Sequence, residues 1–274
     1  MDIKAFKMNG LGNDFVIIDQ RKQQVDLSKE QIVKICDRKY IGCDQLILIK
    51  KNKEIDAGLE FYNSDGSISG ACGNGTRCVA DLLSKENNKK EIILWTSGGT
   101  LKSKILSNNL VETEIGIPKI NWDEIPLSKN LNTKDLKIKI KDKDNKEYIG
   151  GTAVNVGNPH VIFFVNNIEN FDLKKIGPEI ENHKLFPDRC NVTLAKVLNK
   201  NLIKVKVWER GAGLTKACGT AACAAAIAAN NNGLVEKIAD IQFSLGKLTI
   251  SIDKNNSVHM NGPVSKIEDI RINL

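Results

Sequence analysis

The sequence predicts an α+β protein built from two similar halves. Its 274 residues are enough for two domains of ordinary size, each with its own core. Ala-Cys-Gly occurs at residues 71–73 and again at 217–219, each time beside glycine-rich turns and before an apolar helical pattern. Strand patterns precede and follow both copies. The repeating unit is therefore a whole domain, as gene duplication would leave it.

The first half is predicted to contain several strands and two helices. Ser28 and Gln31 form a capping box ahead of apolar residues at helical spacing. We therefore predict a helix from Ser28 to about Lys39, with Cys36 in its core. A second helix begins after Gly75 in the run TRCVADLLSK. Alternating patterns and turn residues predict strands at 5–8, 15–19, 45–50, 59–62, 91–96, 100–106 and 110–117.

A segment with two prolines and no periodicity, residues 118–126, is the predicted linker between the halves. Beyond it, a helix is predicted at 173–186. A second, alanine-rich helix follows residue 217 and ends at Asn230–Asn232 and Gly233. Strands are predicted at 136–141, 146–156, 161–165, 192–197 and 202–209.

The composition is that of a globular protein, with 41% hydrophobic and 27% charged residues. A net charge of +7 raises the question of a nucleic-acid partner. However, the lysines are interleaved with acidic residues and asparagines, and aromatic residues for base stacking are only 5% of the chain. We therefore expect no nucleic-acid partner.

The N-terminal residues lack the apolar core of a signal peptide, and no run reaches about 18 apolar residues. These observations predict a cytoplasmic protein without a membrane segment. The seven cysteines are an odd number in a chain with no export signal, so we expect reduced thiols and no disulfide framework.

The cysteine spacings disfavour a metal site. Structural zinc sites favour pairs two to four residues apart, whereas Cys72 precedes Cys78 by six positions and Cys218 precedes Cys223 by five. A helix would turn the members of each pair toward different faces. We therefore interpret Cys78 and Cys223 as core residues and predict no metal site.

Cys72 and Cys218 each fall in the first turn of a predicted helix. The unpaired N–H groups and the positive dipole end there favour an anion, which can be a thiolate or a substrate carboxylate. Nearby glycines allow a ligand to approach the backbone. The alternative is a pair of buried structural cysteines. Two such thiols suit an inversion at carbon, in which one removes a proton and the other delivers one to the opposite face.

Four motifs carry a resemblance to a known family. These are KMNGLGNDF at 7–15, CGNG with the following TRC at 72–78, NPH at 158–160, and ERGAG with ACGT at 209–220. Together, and in this order, they closely resemble the diaminopimelate epimerases over the whole chain. The resemblance implies cofactor-independent interconversion of LL- and meso-2,6-diaminopimelate in lysine and peptidoglycan precursor biosynthesis.

The resemblance also implies roles for individual residues. Cys72 is the proton donor and Cys218 the proton acceptor in the LL-to-meso direction, and His160 and Glu209 tune the pKa values of the two thiols. The substrate-binding positions correspond to Asn13, Gln45, Asn63, Gly73, Asn74, Asn158, Asn191, Glu209, Arg210, Gly219 and Thr220.

For the fold, the resemblance implies two pseudo-symmetric domains, each an antiparallel β-roll or barrel around a central α-helix. One domain comprises residues 1–118 with a C-terminal strand at 265–274, and the other comprises residues 119–264. The active site would lie between them, and the protein would be a homodimer whose partner is a small-molecule substrate.

The residue types suit a substrate with two carboxylates. Asn and Gln donate and accept hydrogen bonds while remaining neutral, and Arg210 can bind the distal carboxylate through two bonds. The reacting carboxylate would lie against the helix N-termini. Simpler interpretations remain for three positions: Asn63 as a turn residue, Gln45 as an exposed strand residue and His160 as a strand-start histidine with satisfied hydrogen bonds.

Two residues depart from the family pattern, Leu214 in place of the usual Glu and Ala221 in place of the usual Gly. A rival interpretation is a racemase of the proline or hydroxyproline type. Those enzymes typically have Cys-Gly-His-Gly, where this chain has Asn74 in place of the His. A thiol redox or binding protein is the alternative from a different class, and it predicts a stable Cys72–Cys218 disulfide as its working state.

Overall fold

The computed structural model describes residues 2–70, 72–107 and 109–274. The helices are α1 (Lys29–Cys36), α2 (Gly73–Asn87), α3 (Leu173–Glu181) and α4 (Gly219–Asn231), with a short 3₁₀ helix at Ile168–Asn170. The strands are β1 (Asp2–Gly10), β2 (Asn13–Asp19), β3 (Gln45–Lys50), β4 (Ala57–Asn63), β5 (Ile68–Ser69), β6 (Glu91–Thr96), β7 (Gly99–Ser107), β8 (Leu110–Gly116), β9 (Ile138–Lys141), β10 (Glu147–Gly150), β11 (Thr152–Asn155), β12 (Pro159–Phe164), β13 (Asn191–Asn199), β14 (Leu202–Glu209), β15 (Gly213–Thr215), β16 (Ile238–Phe243), β17 (Gly246–Ile252), β18 (Val258–Pro263) and β19 (Glu268–Asn273).

The chain divides into two compact units. Unit 1 comprises Met1–Glu114 and Asn261–Leu274, and unit 2 comprises Ile115–Met260. The limits that the family resemblance implies, residues 118 and 265, lie a few positions further along the chain. Unit 1 includes the end of the chain because β19 pairs with β1 along its length, with Ile3 opposite Ile272.

The two units have the same strand-pairing scheme. In unit 1, β1 pairs antiparallel with β2, β2 pairs parallel with β3, and β3 pairs antiparallel with β4. In unit 2, β11, β12, β13 and β14 repeat these three pairings in the same order and directions. The correspondence continues with β4, β5, β6 and β7 against β14, β15, β16 and β17. The predicted two-part α+β fold is therefore confirmed.

Each unit contains two parallel pairs within an otherwise antiparallel scheme. The chain passes through α1 between β2 and β3, and through α2 between β4 and β6. A strand, a helical crossover and a second strand in one sheet run parallel, because the helix returns the chain to its starting end. Helices α3 and α4 occupy the corresponding connections in unit 2. The family resemblance implies antiparallel β-rolls, whereas each unit contains both antiparallel and parallel strand pairs.

Helices α2 and α4 are the central helices of their units. Helix α2 contacts β1, β2, β6 and β7, and its residues from Asn74 to Leu83 are buried. Helix α4 contacts β11–β14, β16 and β17, and its residues from Ala221 to Ala229 are all buried. The alanine-rich sequence of α4 is apolar on every face, and a helix of this kind is surrounded by protein on all sides.

Several predicted boundaries need correction. Helix α1 has the predicted capping box at Ser28 but ends at Cys36, because Asp37 is extended, with φ −61° and ψ 125°. Helix α3 ends at Glu181 rather than at residue 186. The strand predicted at 146–156 is two strands separated at Gly151, whose φ of +105° interrupts an extended chain. Strands β5 and β15–β18 were not predicted.

The interpretation of Cys36, Cys78 and Cys223 as core residues is confirmed, because all three are at most 3% exposed. In the described part of the chain, no helix has both the length and the apolar character needed to cross a membrane.

Candidate active site

The predicted site residues fall into two groups, one in each unit. The Cys72 cluster in unit 1 consists of Asn13, Gln45, Asn63, Cys72, Gly73 and Asn74. The Cys218 cluster in unit 2 consists of Asn158, His160, Asn191, Glu209, Arg210, Cys218, Gly219 and Thr220.

Cys72 and Cys218 occupy the same position in their units, the N-cap of the central helix. Their backbone angles nearly coincide, with φ −142° and ψ 111° for Cys72, and φ −139° and ψ 119° for Cys218. Their carbonyl oxygens accept the first helical bonds, from Thr76 N at 2.8 Å and Ala222 N at 3.0 Å. Both cysteines therefore lie one residue before the predicted first turn, beside the N–H groups that an anion would bind.

Amide side chains surround the sulfur of Cys72, which is half-buried. Its Sγ donates to Asn13 Oδ1 at 3.7 Å, and Asn74 Nδ2 donates to the same oxygen at 3.4 Å. Asn13 is fixed in turn by its Nδ2, which donates to Asp44 Oδ2 at 3.0 Å. Asn13 thus links the Cys72 thiol to Asn74 and to Asp44.

A fully buried arginine, Arg77, holds Asn74 in place. Its Nη2 donates to Asn74 Oδ1 at 2.7 Å, and Asn74 is itself 2% exposed. Because an arginine only donates, this bond fixes the Asn74 oxygen toward Arg77 and leaves the amide nitrogen for Asn13. Gly10 makes room for the arrangement, since a β-carbon there would lie 3.2 Å from Asn74 Cβ.

The strands bring Gln45 and Asn63 to the same end of the sheet as Asn13. Asn13 begins β2, Gln45 begins β3 and Asn63 ends β4 opposite Gln45. Gln45 Nε2 donates to Asn63 Oδ1 at 2.9 Å. The buried Gln45 Oε1 accepts no hydrogen bond from the described residues, which leaves one acceptor available to a ligand. Asn63 is also a turn residue, as the simpler interpretation predicts.

Helix α2 packs closely on these strands because residue 75 has no side chain. A β-carbon at Gly75 would lie 2.7 Å from Ile47 Cδ1 and 2.9 Å from Phe61 Cε1. The glycine therefore permits the close approach that places Cys72 beside Asn13.

Cys218 is buried, and its surroundings are charged. Its Sγ is 3.3 Å from Thr220 Oγ1, and it also hydrogen-bonds to Glu209. Burial raises the pKa of the Cys218 thiol well above its usual value, and the negative charge of Glu209 raises it further. The Thr220 hydroxyl and the Ala221 N–H act in the opposite direction. Cys218 is therefore protonated near neutral pH.

His160 is fully buried and neutral. Burial, and after it the positive charge of Arg210, lower its pKa to about 3. Its Nε2 is 2.8 Å from Asn158 Oδ1. An amide oxygen only accepts, so Nε2 carries the proton and Nδ1 has a bare lone pair. Nδ1 is buried and has no hydrogen-bond partner in the described part of the chain, so the interpretation as a fully satisfied histidine is wrong.

Asn191 and a tight turn position Arg210. Asn191 is 2% exposed, donates through Nδ2 to Pro159 O at 3.0 Å and accepts the Arg210 N–H at 3.0 Å. The turn is closed by Ala212 N, which donates to Glu209 O at 3.1 Å. Gly211 has φ +75°, which the third residue of a type II turn requires.

Sequence reasoning missed three residues that support these clusters. Arg77 belongs to a family motif, but its hydrogen bond to Asn74 was not predicted. Asp44 accepts a hydrogen bond from Asn13. Its place directly before the buried strand β3 is the signal from which this contact could have been predicted. Glu181 contacts Gly211 N from a distant helix, and nothing in the local sequence indicates that contact.

No group of three His, Cys, Asp or Glu residues within the described ranges is arranged to hold a metal ion. A surface cavity of about 530 Å³ is lined by residues in and between β13, β14, β16 and β17, and these residues belong to neither cluster.

Comparison with known proteins places these features in a family. The sequence model of diaminopimelate epimerase matches residues 5–120 and 152–267, one segment in each half. A diaminopimelate epimerase of Pelagibacter ubique (strain HTCC1062) is 77% identical over 274 residues, covering all of both chains. Another, of Acidiphilium cryptum (strain JF-5), is 40% identical over 262 residues, covering 95% of this chain and 93% of its own.

Solved structures share the fold at low identity. A Bacillus anthracis phenazine biosynthesis protein of the PhzF family superposes with a TM-score of 0.69 at 13% identity, over 100% of both chains. A hydroxyproline epimerase from Agrobacterium vitis superposes with a TM-score of 0.68 at 12% identity, covering 98% of this chain and 91% of its own. At such identities the similarity describes the fold alone.

Proposed function

Because the chain belongs to the diaminopimelate epimerase family, we propose that Cys72 and Cys218 are the acid and base of its reaction. The protein is an isomerase that converts LL-2,6-diaminopimelate to the meso isomer, toward lysine and peptidoglycan precursors. The chemistry uses no cofactor. The observation that carries the proposal is the pair of cysteines with matching backbone angles at the N-caps of the two central helices.

In the LL-to-meso direction, the Cys218 thiolate removes the α-proton and the Cys72 thiol delivers a proton to the opposite face. The electron pair of the broken C–H bond stays on the α-carbon and spreads into the adjacent carboxylate. After one turnover Cys218 holds the proton and Cys72 is the thiolate, so the pair must exchange a proton before the next LL molecule reacts.

The helix N-termini stabilise the charge that develops on the substrate. The reacting carboxylate gains negative charge as the proton leaves, and the N–H groups of Gly73, Asn74, Gly219 and Thr220 are the donors that we assign to it. The helix dipoles contribute only about 0.3–1 kcal/mol each, so these directed hydrogen bonds supply the larger share.

Neutral amides and one arginine recognise the rest of the substrate. We assign the distal carboxylate to Arg210, whose guanidinium can donate two parallel bonds to it. The remaining binding positions are Asn13, Gln45, Asn63, Asn158, Asn191 and Glu209. The buried Gln45 Oε1 supports this assignment, because an acceptor without a partner suits a substrate ammonium group.

Glu209 and His160 set the protonation of the thiols. Burial and, after it, the charge of Glu209 raise the pKa of Cys218, so the ligand-free enzyme holds a proton there and must lose it before LL-diaminopimelate reacts. His160 remains neutral because burial lowers its pKa to about 3, and its bare Nδ1 can accept a hydrogen bond from a thiol.

The direct test is incubation of the purified protein with LL-diaminopimelate in D₂O under reducing conditions. Formation of meso product with deuterium at the α-carbon is expected, and absence of exchange would overturn the proposal. L-Proline and trans-4-hydroxy-L-proline serve as control substrates. Exchange on proline but not on diaminopimelate would favour the racemase alternative.

A redox test separates the epimerase from a thiol-disulfide protein. Oxidation should remove the epimerase activity, and a thiol reductant should restore it. A protein whose working state is a stable Cys72–Cys218 disulfide would behave in the opposite way.

We also propose that the protein works as a homodimer in the cytoplasm. The family resemblance supports the homodimer, and sedimentation equilibrium tests it. Cys36 Sγ and Cys43 Sγ lie 3.4 Å apart as free thiols, which suits a reducing compartment. Fractionation of cells with an antibody against the protein tests the compartment.

A further inference from the structure

Glu181, the last residue of α3, is a buried carboxylate that lies outside the Cys218 cluster but contacts it. Its side chain is 7% exposed. Trp208 Nε1 donates to its Oε2 at 2.7 Å. Gly211 N donates to its Oε1 at 3.0 Å, and Arg189 Nη1 donates to the same oxygen at 3.1 Å. A buried carboxylate that receives three donors is fully engaged, so its position is well defined.

One of these three donors belongs to the turn that carries Arg210. The two N–H groups in the middle of this turn both have side-chain acceptors: Asn191 Oδ1 takes the one of Arg210, and Glu181 Oε1 takes the one of Gly211. Glu209, which begins the turn, is held separately because β14 pairs with β15, with Glu209 opposite Gly213. The hydrogen bond from Gly211 N to Glu181 therefore restrains the Arg210–Gly211 peptide rather than Glu209.

Helix α3 is shaped to receive the indole ring that Glu181 contacts. A β-carbon at Gly177 would lie 2.5 Å from Trp208 Cδ2, so only glycine leaves space for the ring. Gly177 and Glu181 are four residues apart on the helix and so share one face. Trp208 thus rests on Gly177 while its N–H reaches Glu181. This packing joins α3 to the strand residue immediately before the turn.

We propose that Glu181 is a positioning residue that holds the Arg210–Gly211 peptide, and through it the guanidinium of Arg210, in the orientation that binds the distal carboxylate. The inference rests on the proposed function, because it assumes that Arg210 is the distal-carboxylate site. Arg210 Nη1 donates to Asp188 O at 2.6 Å. The Arg210 side chain is therefore held at its guanidinium by Asp188 and at its backbone by the contacts of the turn.

Substitution of Glu181 by glutamine tests the role of the second oxygen. A carboxylate accepts on both oxygens, whereas an amide presents one oxygen and one NH₂ donor. In Glu181→Gln, either Trp208 Nε1 or Gly211 N would therefore face a donor. The turn must then shift or lose its anchor, although the size of the side chain is unchanged.

We expect Glu181→Gln to raise the KM for diaminopimelate by about tenfold and to change kcat much less. Contacts to a non-reacting part of the substrate act in the ground state and the transition state alike, so their loss appears in KM. Arg210→Lys should raise KM by at least as much. In the double variant the two effects should not multiply, because both substitutions remove the same interaction.

Asp142→Asn is the matched control. Asp142 is also a buried carboxylate of unit 2, and its Oδ1 accepts from Asp144 N at 3.0 Å and Lys146 N at 2.9 Å. It does not contact the turn, so its KM should equal that of the unsubstituted protein. Thermal unfolding of all variants shows whether a KM change follows stability. If Glu181→Gln does not fold, Glu181→Asp carries the test, because it keeps the charge but draws the carboxylate back from Gly211 N, and an unchanged KM in that variant would overturn the positioning role.

The possible outcomes separate the two proposals. If the unsubstituted protein exchanges no deuterium into diaminopimelate, the proposed function fails. If it is active and Glu181→Gln has an unchanged KM, or if the KM effects multiply in the double variant, the positioning role is overturned. A raised KM that is shared with Asp142→Asn would also overturn it. A raised KM confined to Glu181→Gln, without multiplication in the double variant, supports it.

Discussion

The Cys72 and Cys218 clusters differ in chemistry although their backbones coincide. Both cysteines are N-caps with φ near −140°. Cys72 has the neutral amides of Asn13 and Asn74 nearby, whereas Cys218 is buried beside the carboxylate of Glu209. The duplicated fold thus provides the same anion-binding helix terminus twice. The neighbouring side chains make one thiol different from the other.

The central helices show the same division. Helix α2 contains the fully buried Arg77, which reaches Asn74 at the helix start. Helix α4 has only small or aliphatic buried residues from Ala221 to Ala229. In unit 1 the helix itself supplies a charged support for the cluster. In unit 2 that support comes from outside the helix, from Glu181 and Asn191.

Removal of either N-cap thiol tests whether the two clusters are both essential. We expect Cys72→Ala and Cys218→Ala each to reduce epimerisation by at least about a hundredfold, because each removes one proton-transfer group. The measurement is formation of the second isomer by chiral chromatography. Cys36→Ala is the control, since Cys36 is buried in unit 1 outside the cluster. Near-normal turnover in either N-cap variant would refute the two-base assignment.

Replacement of Arg77 tests the support in unit 1. We expect Arg77→Met to lower kcat/KM by about 10–100-fold, because Asn74 loses a charged hydrogen bond, of about 1.5–3 kcal/mol, that orients its amide. Arg77→Lys keeps the charge and should recover part of the activity. Steady-state kinetics measure the effect. Activity that tracks only the melting temperature across both variants would mean that Arg77 merely stabilises the fold.

The negative charge of Glu209 is the second contribution to the raised pKa of the Cys218 thiol, after burial. Glu209 raises the pKa of Cys218, so Glu209→Gln should lower that pKa and make the thiolate form at lower pH. Alkylation by iodoacetamide, followed residue by residue with mass spectrometry across a pH series, measures the change. The curve for Cys218 should move to lower pH while that for Cys72 stays in place. Equal movement of both curves would contradict the assignment.

The smallest expected effect concerns the buried His160. Burial lowers its pKa to about 3 in the folded protein, whereas an unfolded histidine has a pKa of about 6.5. The unfolded state therefore binds a proton that the folded state does not, and stability falls as pH falls below about 6.5. Between pH 6.5 and 5 the loss should be about 1–2 kcal/mol. Urea unfolding should show a shallower pH dependence for His160→Gln, and equal slopes would argue against a buried neutral ring.

The sequence predicted the features that depend on local chemistry. The capping box at Ser28 and the alanines of α4 specify their helices through neighbouring residues. The repeated Ala-Cys-Gly predicted the two helix starts for the same reason. Gly75 differs, because the sequence predicts that it admits a ligand to the backbone, whereas in the structure it makes room for the side chains of Ile47 and Phe61. Pairing of the N-terminal strand with β19 followed only from the family resemblance, because it joins segments that are distant along the chain.

The supports of the clusters were beyond prediction because they depend on tertiary contacts. Glu181 lies 30 positions before Gly211 and meets it only after α3 has packed on Trp208. The role of Arg77 depends on burial, and charged residues in a helix are more often exposed. Strands β16–β18 follow α4, where the sequence reading defined no further element before the final strand.

The position of β19 has a consequence for the order in which the protein can fold during synthesis. Its residues follow the whole of unit 2 along the chain, yet they pair with β1. Unit 2 is fully translated while the edge of β1 is still unpaired, and an unpaired edge is a template for wrong association. Unit 2 is therefore complete on the ribosome before unit 1, although most of unit 1 is translated first. Unit 1 becomes complete only when β19 has been translated and can pair with β1.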